Sequence, residues 1–398
     1  MNYLSVVETC FLDAPRGSGR VAWDVLQALH SRGHQVTLFC ARFPGSNAPF
    51  GIETRDGIEI VRYERPALPR WHPNRLGANV ASAGSAARHW LADRDWDTVH
   101  IHAPVLGRGV MQAIGRGPRY VTTVHSPIVM EQEVNWSAQG LLGRLKLMFG
   151  TDLLKRLERR VLRDSAAIHA LSGFTRSKLE AYHGVGDRVT VIPHWCREQT
   201  EGRLDKCEAR RRLGWPEDQT VFFSVRQLRP RYGLDVAIRA FSELPSRGGY
   251  RYYIAGQGPL RPVLERQIEN AGLAGHVSLM GRITDAQLML AYQAADVFIL
   301  PTLALECFGL IILESLSWGC PLIATDAGAI PEVLGRVLPG CTIPAGDVAS
   351  LKHKILDALE HRLNMPAPDE LAAQTRENYA EADVVMKLAE LLFPETHR

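Results

Sequence analysis

The sequence predicts an α/β fold built as two doubly wound, parallel-sheet domains. Three observations carry this. Short apolar strands alternate with amphipathic helices from the first residues onward, the alternation lapses near 194–219, and it then restarts. A length of 398 residues is long for one core and comfortable for two.

In the first half the expected strands are Tyr3–Thr9, Gln35–Ala41, Ile58–Tyr63, Thr98–His102, Tyr120–His125, Ala166–Ala170 and Val189–Pro193. Each is rich in β-branched residues and bounded by Gly, Pro, Asp or Ser. A helix is expected over Arg20–Ser31, with Val21, Val25, Leu26 and Leu29 on one face and Gly33 as its stop. Strands and helices in this alternation form a parallel sheet covered on both faces. The run Arg197–Arg212 is dense in charge and poor in apolar residues, which suits a linker and a surface helix. Beyond it come the strands Val221–Val225, Arg251–Gly256, Val277–Met280, Val297–Pro301 and Pro321–Thr325, and then a helical pattern over Asp369–Leu392. The boundaries that follow are 1–195 for the first domain, 196–375 for the second and 376–398 for a final helix. Two such domains facing each other leave a cleft at the C-terminal ends of their strands, where loops and helix N-termini converge.

Composition narrows the class. Hydrophobic residues make up 46% and charged residues 22%, ordinary globular usage, and a net charge of +3 is too mild for a nucleic-acid partner. The seven cysteines (Cys10, Cys40, Cys196, Cys207, Cys307, Cys320 and Cys341) are odd in number and lack a C-x-x-C. They read as small buried hydrophobes of a reducing compartment. The first residues do not read as a signal peptide, and no run of about 18 apolar residues is long enough to span a membrane. The expected location is cytoplasmic. His100 and His102 share a strand face but have no third ligand beside them, so they read as structural and no metal site is expected.

The strongest motif is Glu306-Cys307-Phe308-Gly309-Leu310-Ile311-Ile312-Leu313-Glu314, which follows a strand and opens an apolar helix, Leu310–Trp318. Gly309 lets the backbone come close to a ligand, and the free N–H groups of the first helical turn favour a diphosphate. Glu306 lies at the loop mouth and Glu314 about one turn inside, so they can meet different parts of one extended ligand, a sugar and a ribose diol. The alternative is a loop glutamate and a solvated helix glutamate, although a Leu-Ile-Ile-Leu helix offers Glu314 little solvent face.

This segment, with Pro301, Gly319, Pro321, Thr325, Gly328 and Pro331-Glu332, resembles the donor signature of glycosyltransferase family 4. Ile254-Ala255-Gly256-Gln257-Gly258-Pro259-Leu260-Arg261 continues the resemblance, which covers nearly the whole chain. It implies the GT-B fold, two Rossmann-like domains, with the last helix returning to the first one. It also implies retaining transfer from a nucleotide sugar, UDP favoured over GDP, to a hydroxyl of a glycan, a lipid-linked glycan or a small natural product, with no metal or other cofactor required. Phe308, Gly309, Leu310 and Glu314 become donor-binding residues, Gly281 frames the nucleobase, and Glu306 orients the sugar.

Val225-Arg226-Gln227-Leu228-Arg229-Pro230-Arg231-Tyr232-Gly233 places cations after a strand, where a departing diphosphate needs positive charge. Arg226 and Arg231 match the family's Arg and Lys; Val225 replaces its usual glycine, and Arg229 is a competing candidate. Gly17-Ser18-Gly19, with Arg16 in place of a first glycine, matches the family's glycine loop facing the donor. Read alone, Gly17-x-Gly19-x-x-Ala22 also imitates a dinucleotide fingerprint, and Arg42 would suit NADP. His125, at the end of a strand, can hydrogen-bond a substrate hydroxyl, and the resemblance sets it near the donor sugar and acceptor. At the junction Val191-Ile192-Pro193-His194-Trp195-Cys196-Arg197 departs from the family, which often has Asp at the position of Arg197. Leu141–Arg163 is basic and amphipathic, with Arg144, Lys146, Lys155, Arg156, Arg159, Arg160 and Arg163, and could lie on an anionic membrane, although Asp152 and Glu158 dilute its charge. The competing functions are a GT-B phosphorylase or epimerase, a noncatalytic nucleotide-sugar-binding module and an NADP oxidoreductase. Oligomeric state has no signature.

Overall fold

The computed structural model describes residues 1–14, 17–42, 46–69, 72, 74–137, 140–197, 203–245 and 248–394, with the backbone alone for 135, 137 and 140–149. Arg16, the linker stretch 198–202, residues 395–398 of the final helix and the side chains of Arg144 and Lys146 lie outside the described residues. The chain divides into two compact units, Met1–His194 with Ala382–Arg398, and Trp195–Glu381.

The first unit is built on β1 (Asn2–Val7), β2 (Gln35–Arg42), β3 (Gly51–Arg55), β4 (Ile58–Glu64), β5 (Thr98–Ile101), β6 (Arg119–Val124), β7 (Ala167–Ala170) and β8 (Val189–Val191). The sheet order is β3-β4-β2-β1-β5-β6-β7-β8. All pairs are parallel except β3 with β4. Chain order therefore reverses between β1 and β5. The antiparallel β3 is absent from the sequence reading, because Gly51-Ile52-Glu53-Thr54-Arg55 has one large apolar residue and that residue is exposed. The missed signal was Asp56-Gly57, both at positive φ (53° and 76°), which is hairpin-turn chemistry.

A chain of hydrogen bonds runs through the first unit's core, linking β1, β5, β6, β7 and the residue after β8. Burial lowers the pKa of His100 well below the ordinary histidine value and that of His169 to about 4, so both rings are neutral near pH 7. His169 Nε2 lies 2.8 Å from the Ile192 carbonyl, which can only accept. His169 Nδ1 must then accept from the Thr123 hydroxyl, 2.8 Å away. Thr123 Oγ1 in turn accepts from His100 Nε2 at 2.5 Å. That leaves His100 Nδ1 to accept from the Tyr3 hydroxyl at 2.6 Å. Every proton is assigned by the carbonyl at the end.

The helix Glu381–Leu392 docks on this unit. Thr98 Oγ1 donates to the Leu392 carbonyl at 2.8 Å, and Phe393 stacks on His34 with centroids 4.8 Å apart. The segment expected to return, 376–398, begins later, at Ala382. The single helical pattern over Asp369–Leu392 is two helices, Pro368–Asn378 and Glu381–Leu392. Tyr379 interrupts them because it is held by the second unit: its hydroxyl donates to Val333 O at 2.8 Å, and its carbonyl accepts from Cys196 N at 2.8 Å.

The second unit is built on β9 (Thr220–Val225), β10 (Tyr250–Ala255), β11 (Val277–Gly281), β12 (Val297–Leu300), β13 (Leu322–Thr325) and β14 (Thr342–Ile343). Its order is β11-β10-β9-β12-β13-β14, and every pair is parallel. This is the Rossmann order, with its reversal between β9 and β12. At two residues β14 is too short to leave a periodic trace. Phe241 stacks on Tyr252 (4.7 Å) and packs edge-on against Phe222 (5.2 Å) beneath β9 and β10. Asp296, just before β12, accepts from Val221 N at 2.7 Å and pairs with Arg210 at 2.5 Å, tying the helix Lys206–Leu213 to the sheet.

Two predictions follow from the fold itself. His125 has its pKa lowered to about 3, and His102 is lowered well below the usual value, with burial the leading cause in both. With His100 and His169, these rings refuse protons that the unfolded chain takes up below pH ~6.5. Their stability contribution is therefore complete above that pH and falls as pH drops below it. The melting midpoint should fall by several degrees between pH 7 and 5, a window above most carboxylate titration; a flat midpoint would contradict it. Gly256 (φ 134°) has no room for a side chain, because its Cβ would overlap the Arg226 carbonyl. Gly256→Ala should cost at least ~2 kcal/mol in chemical denaturation, and a silent substitution would show that the two loops are not in contact.

Candidate active site

In an open α/β sheet the crevice for a ligand lies beyond the strand ends where chain order reverses. In the second unit that place is bounded by Val225, ending β9, and Leu300, ending β12. The residue after β9 is Arg226, and Pro301–Gly309 follows β12. The Arg226 guanidinium and the Glu306 carboxylate form an ion pair there, each side chain 12% exposed. Burial at this level screens the pair far less than solvent would.

Backbone contacts lock the loops that carry the pair. Arg226 N donates to Ala255 O (2.9 Å), Leu303 N to Arg231 O (2.8 Å) and Ala329 N to Glu306 O (2.7 Å). Side chains on Gly258 and Gly233 would overlap Leu228 O and Pro301 O, and one on Gly328 would overlap Glu306 O. The glycines of the family-like motifs thus serve chain-to-chain approach around Arg226 and Glu306. Leu305, immediately before Glu306, holds φ at +63°, an uncommon conformation for a bulky residue and a local strain beside the carboxylate.

Arg231 lies in the same cluster. Its guanidinium is 4.6 Å from the centre of the Tyr232 ring and donates to the Tyr232 hydroxyl at 2.6 Å; the Arg226 guanidinium is 5.0 Å from the same ring. Tyr232 was quoted in the sequence motif without a role. Its ring is in contact with both cations, and nothing in its one-letter context signals this. Arg229 is exposed. Arg226 Nε is buried and has no hydrogen-bond partner among the described residues, so one donor of the site remains to be used.

The helix Leu310–Ser317 starts at Gly309, whose φ of 87° turns the chain into the first turn. Ile312, Leu313 and Leu316 are buried, so the apolar face anchors the helix while its N-terminal amides open at the loop. Phe308 points inward, edge-on to Tyr379 with centroids 6.3 Å apart, so its ring supports the turn; Leu310 is half-buried. Glu314 is half-buried and accepts from the Tyr292 hydroxyl at 3.2 Å, which rules out a freely solvated helix face. Burial, then the Glu314 carboxylate, raises the Tyr292 pKa well above its ordinary value, so Tyr292 remains a donor. Gly281 (φ 77°) ends β11, two strands from β9, and its carbonyl accepts from Gly256 N at 2.7 Å.

In the first unit, Gly17, Ser18 and Gly19 form the first turn of the helix Gly17–His30 and not a loop before it. The apolar periodicity starts only at Val21, which is why the sequence placed the helix start later. Gly17 and Ser18 are exposed, and Gly19 is buried against Thr9 O. The turn is braced one level below: Arg20 pairs with Asp24 (3.3 Å), and Asp24 accepts from His194 Nε2 (3.0 Å). His125 follows β6, half-buried, and its Nε2 lies 3.0 Å from His102 Nδ1. Glu158 does not dilute the charge of the basic helix, as the sequence suggested. It is fully buried, accepts from Ile128 N (3.1 Å) at the start of the helix after His125, and pairs with His183 (2.8 Å). Among the described residues no group of three or more His, Cys, Asp and Glu side chains is placed to hold a metal ion, and no helix is long and apolar enough to cross a membrane.

Comparison with known proteins identifies the family and the fold. The model for Glycosyltransferase Family 4 matches residues 15–197, and that for Glycosyl transferases group 1 matches 205–381. A phosphatidyl-myo-inositol mannosyltransferase of Mycobacterium leprae is 24% identical over 88% of this chain and 85% of its own. A GDP-mannose-dependent alpha-(1-6)-phosphatidylinositol monomannoside mannosyltransferase of Mycolicibacterium smegmatis is 25% identical over 82% of each chain. Among solved structures, a sucrose-phosphate synthase from Thermosynechococcus elongatus shares the fold with a TM-score of 0.83, at 18% identity over 98% of each chain. These matches set aside the oxidoreductase alternative. With one family model on each unit and a full-length fold match, the chain belongs to the family 4 glycosyltransferases of the GT-B fold, and it is a hexosyltransferase that uses a nucleotide sugar.

Proposed function

We propose that the chain transfers a hexose from a nucleoside-diphosphate sugar to an acceptor hydroxyl with retention at the anomeric carbon, and that its donor diphosphate lies at the β9/β12 reversal. The observation that carries this reading is the Arg226–Glu306 pair, with the unused Arg226 Nε and the opening amides of the helix Leu310–Ser317 beside it. Arg226, Arg231 and those amides offer positive charge to the diphosphate as the bond from the sugar C1 to the phosphate oxygen breaks. The acceptor oxygen forms its bond to C1 on the same face. Its proton passes to the departing phosphate oxygen, so the step needs no separate carboxylate base. Glu306 orients the sugar and Glu314 the ribose, with Gly281 beside the nucleobase. In the first unit, Gly17, Ser18 and His125 serve the sugar and the acceptor.

The sequence reading put UDP ahead of GDP. A relative named for GDP-mannose reverses that order, and GDP-mannose is the proposed donor. The relatives' names also point to a phosphatidylinositol-type acceptor. On the helix Gly140–Asp164, exposed Leu153 and the exposed Arg156, Arg159, Arg160 and Arg163 fit peripheral contact with an anionic bilayer from the cytoplasmic side. Because guanidinium groups carry the diphosphate's charge, no metal is required, and turnover should survive chelation of divalent cations.

The test is Glu306→Ala with GDP-mannose and phosphatidylinositol vesicles. Removing one partner leaves Arg226 uncompensated in a poorly hydrated place. Binding of the nucleoside diphosphate should therefore hold or strengthen severalfold in calorimetry, while transfer falls by orders of magnitude. Near-normal turnover would remove Glu306 from the mechanism, and lost diphosphate binding would remove the charge argument. In the parent enzyme, an inverted anomeric configuration in the product would exclude the same-face route, and donor consumption without an acceptor would favour an epimerase.

A further inference from the structure

His102 was read from the sequence as structural. It sits just after β5, is 7% exposed, and its Nδ1 lies 3.0 Å from His125 Nε2, with the two rings stacked at 5.2 Å. Its other nitrogen, Nε2, is buried without a hydrogen-bond partner among the described residues. The nearest imidazole, His100, cannot serve it, because both His100 nitrogens are used by Tyr3 and Thr123. His125 Nδ1 has no partner among the described residues either.

A hydrogen bond between two neutral imidazoles has two arrangements. If His102 carries its proton on Nε2, that N–H is buried without an acceptor and His125 shows a lone pair at Nδ1. If His102 carries it on Nδ1, the proton is used, the unpaired atom is a lone pair, and His125 is protonated at Nδ1. An orphaned buried N–H is the rarer and costlier of the two.

We propose that His102 is a positioning residue that fixes His125 in the Nδ1–H form, so that His125 meets substrate as a hydrogen-bond donor and not as a base. The geometry holds for the protein alone; its consequence for transfer rests on the proposed role of His125. A donor at this place can bond a sugar or acceptor hydroxyl oxygen. It does not compete for the acceptor proton, which the same-face route sends to the leaving phosphate.

The experiment is nitrogen NMR of the full chain labelled with 15N-histidine, with His125 assigned by the signal lost in His125→Gln. The parent should show His125 protonated at Nδ1. In His102→Phe the Nε2–H form should appear, with kcat reduced about tenfold and the donor KM changed less than twofold. His102→Asn, whose amide nitrogen can stand where Nδ1 stands and donate to His125 Nε2, should restore both. A parent His125 protonated at Nε2 overturns the proposal, as does an unchanged His125 tautomer in His102→Phe. The parent spectrum decides the tautomer even where His102→Phe does not fold. Normal turnover of His125→Phe, which has no donor, would instead overturn the role of His125 and leave the tautomer assignment standing.

Discussion

The second unit is organised around one ion pair. Arg226 directly follows β9 and Glu306 lies in the loop after β12, and these parallel neighbours are the two strands between which chain order reverses. Each charge would be costly to hold alone at 12% exposure, and together they compensate. Keeping them together requires the β9, β12 and β13 loops to approach one another backbone to backbone. Gly256, Gly233 and Gly328 permit that approach, and the strained Leu305 aims the carboxylate. In the proposed reading a diphosphate entering this place would meet a cation already held, with an unused N–H, a second guanidinium beside Tyr232 and the start of a helix. Little has to move for the charge of a leaving group to be met, which is the condition for electrostatic stabilisation of a transition state.

The first unit solves a different problem. Part of its polar interior is one directed chain of neutral imidazoles and hydroxyls from Tyr3 to the Ile192 carbonyl. Because that chain is satisfied throughout, it has nothing to offer His102, and among the described residues His102 has its side-chain hydrogen bond with His125. Further from the core, Arg20, Asp24 and His194 hold the helix that opens with Gly17 and Ser18. Each functional candidate thus stands on a buried layer that limits what it can do.

The strands were largely legible because parallel strands buried on both faces are continuous apolar runs, and their ends fell within about two residues of expectation. The segments that escaped were those without such a run: the half-exposed β3 and the two-residue β14. The break at Tyr379 escaped because helical periodicity says nothing about which unit holds the residue. At the candidate site the motifs located Arg226, Arg231, Glu306 and Gly309. They did not show that Arg226 and Glu306 pair, that the Tyr232 ring is in contact with both cations, or that the Gly256 and Gly258 turn supports Arg226. Arg226 and Glu306 lie 80 positions apart, and a single sequence has no record of such a contact. The face of Glu158 was misjudged for the same reason: its partners Ile128 and His183 lie on other elements.

The measurement that bears most directly on the central claim is a crystal structure of the full chain with a nucleoside diphosphate bound. The account predicts the diphosphate within hydrogen-bond distance of the Arg226 and Arg231 guanidinium groups and of the amides at Leu310, with the ribose toward Glu314. A diphosphate held by the helix start at Gly17–Gly19 without contact to Arg226, or bound anywhere that leaves the Arg226 and Arg231 side chains untouched, would contradict it.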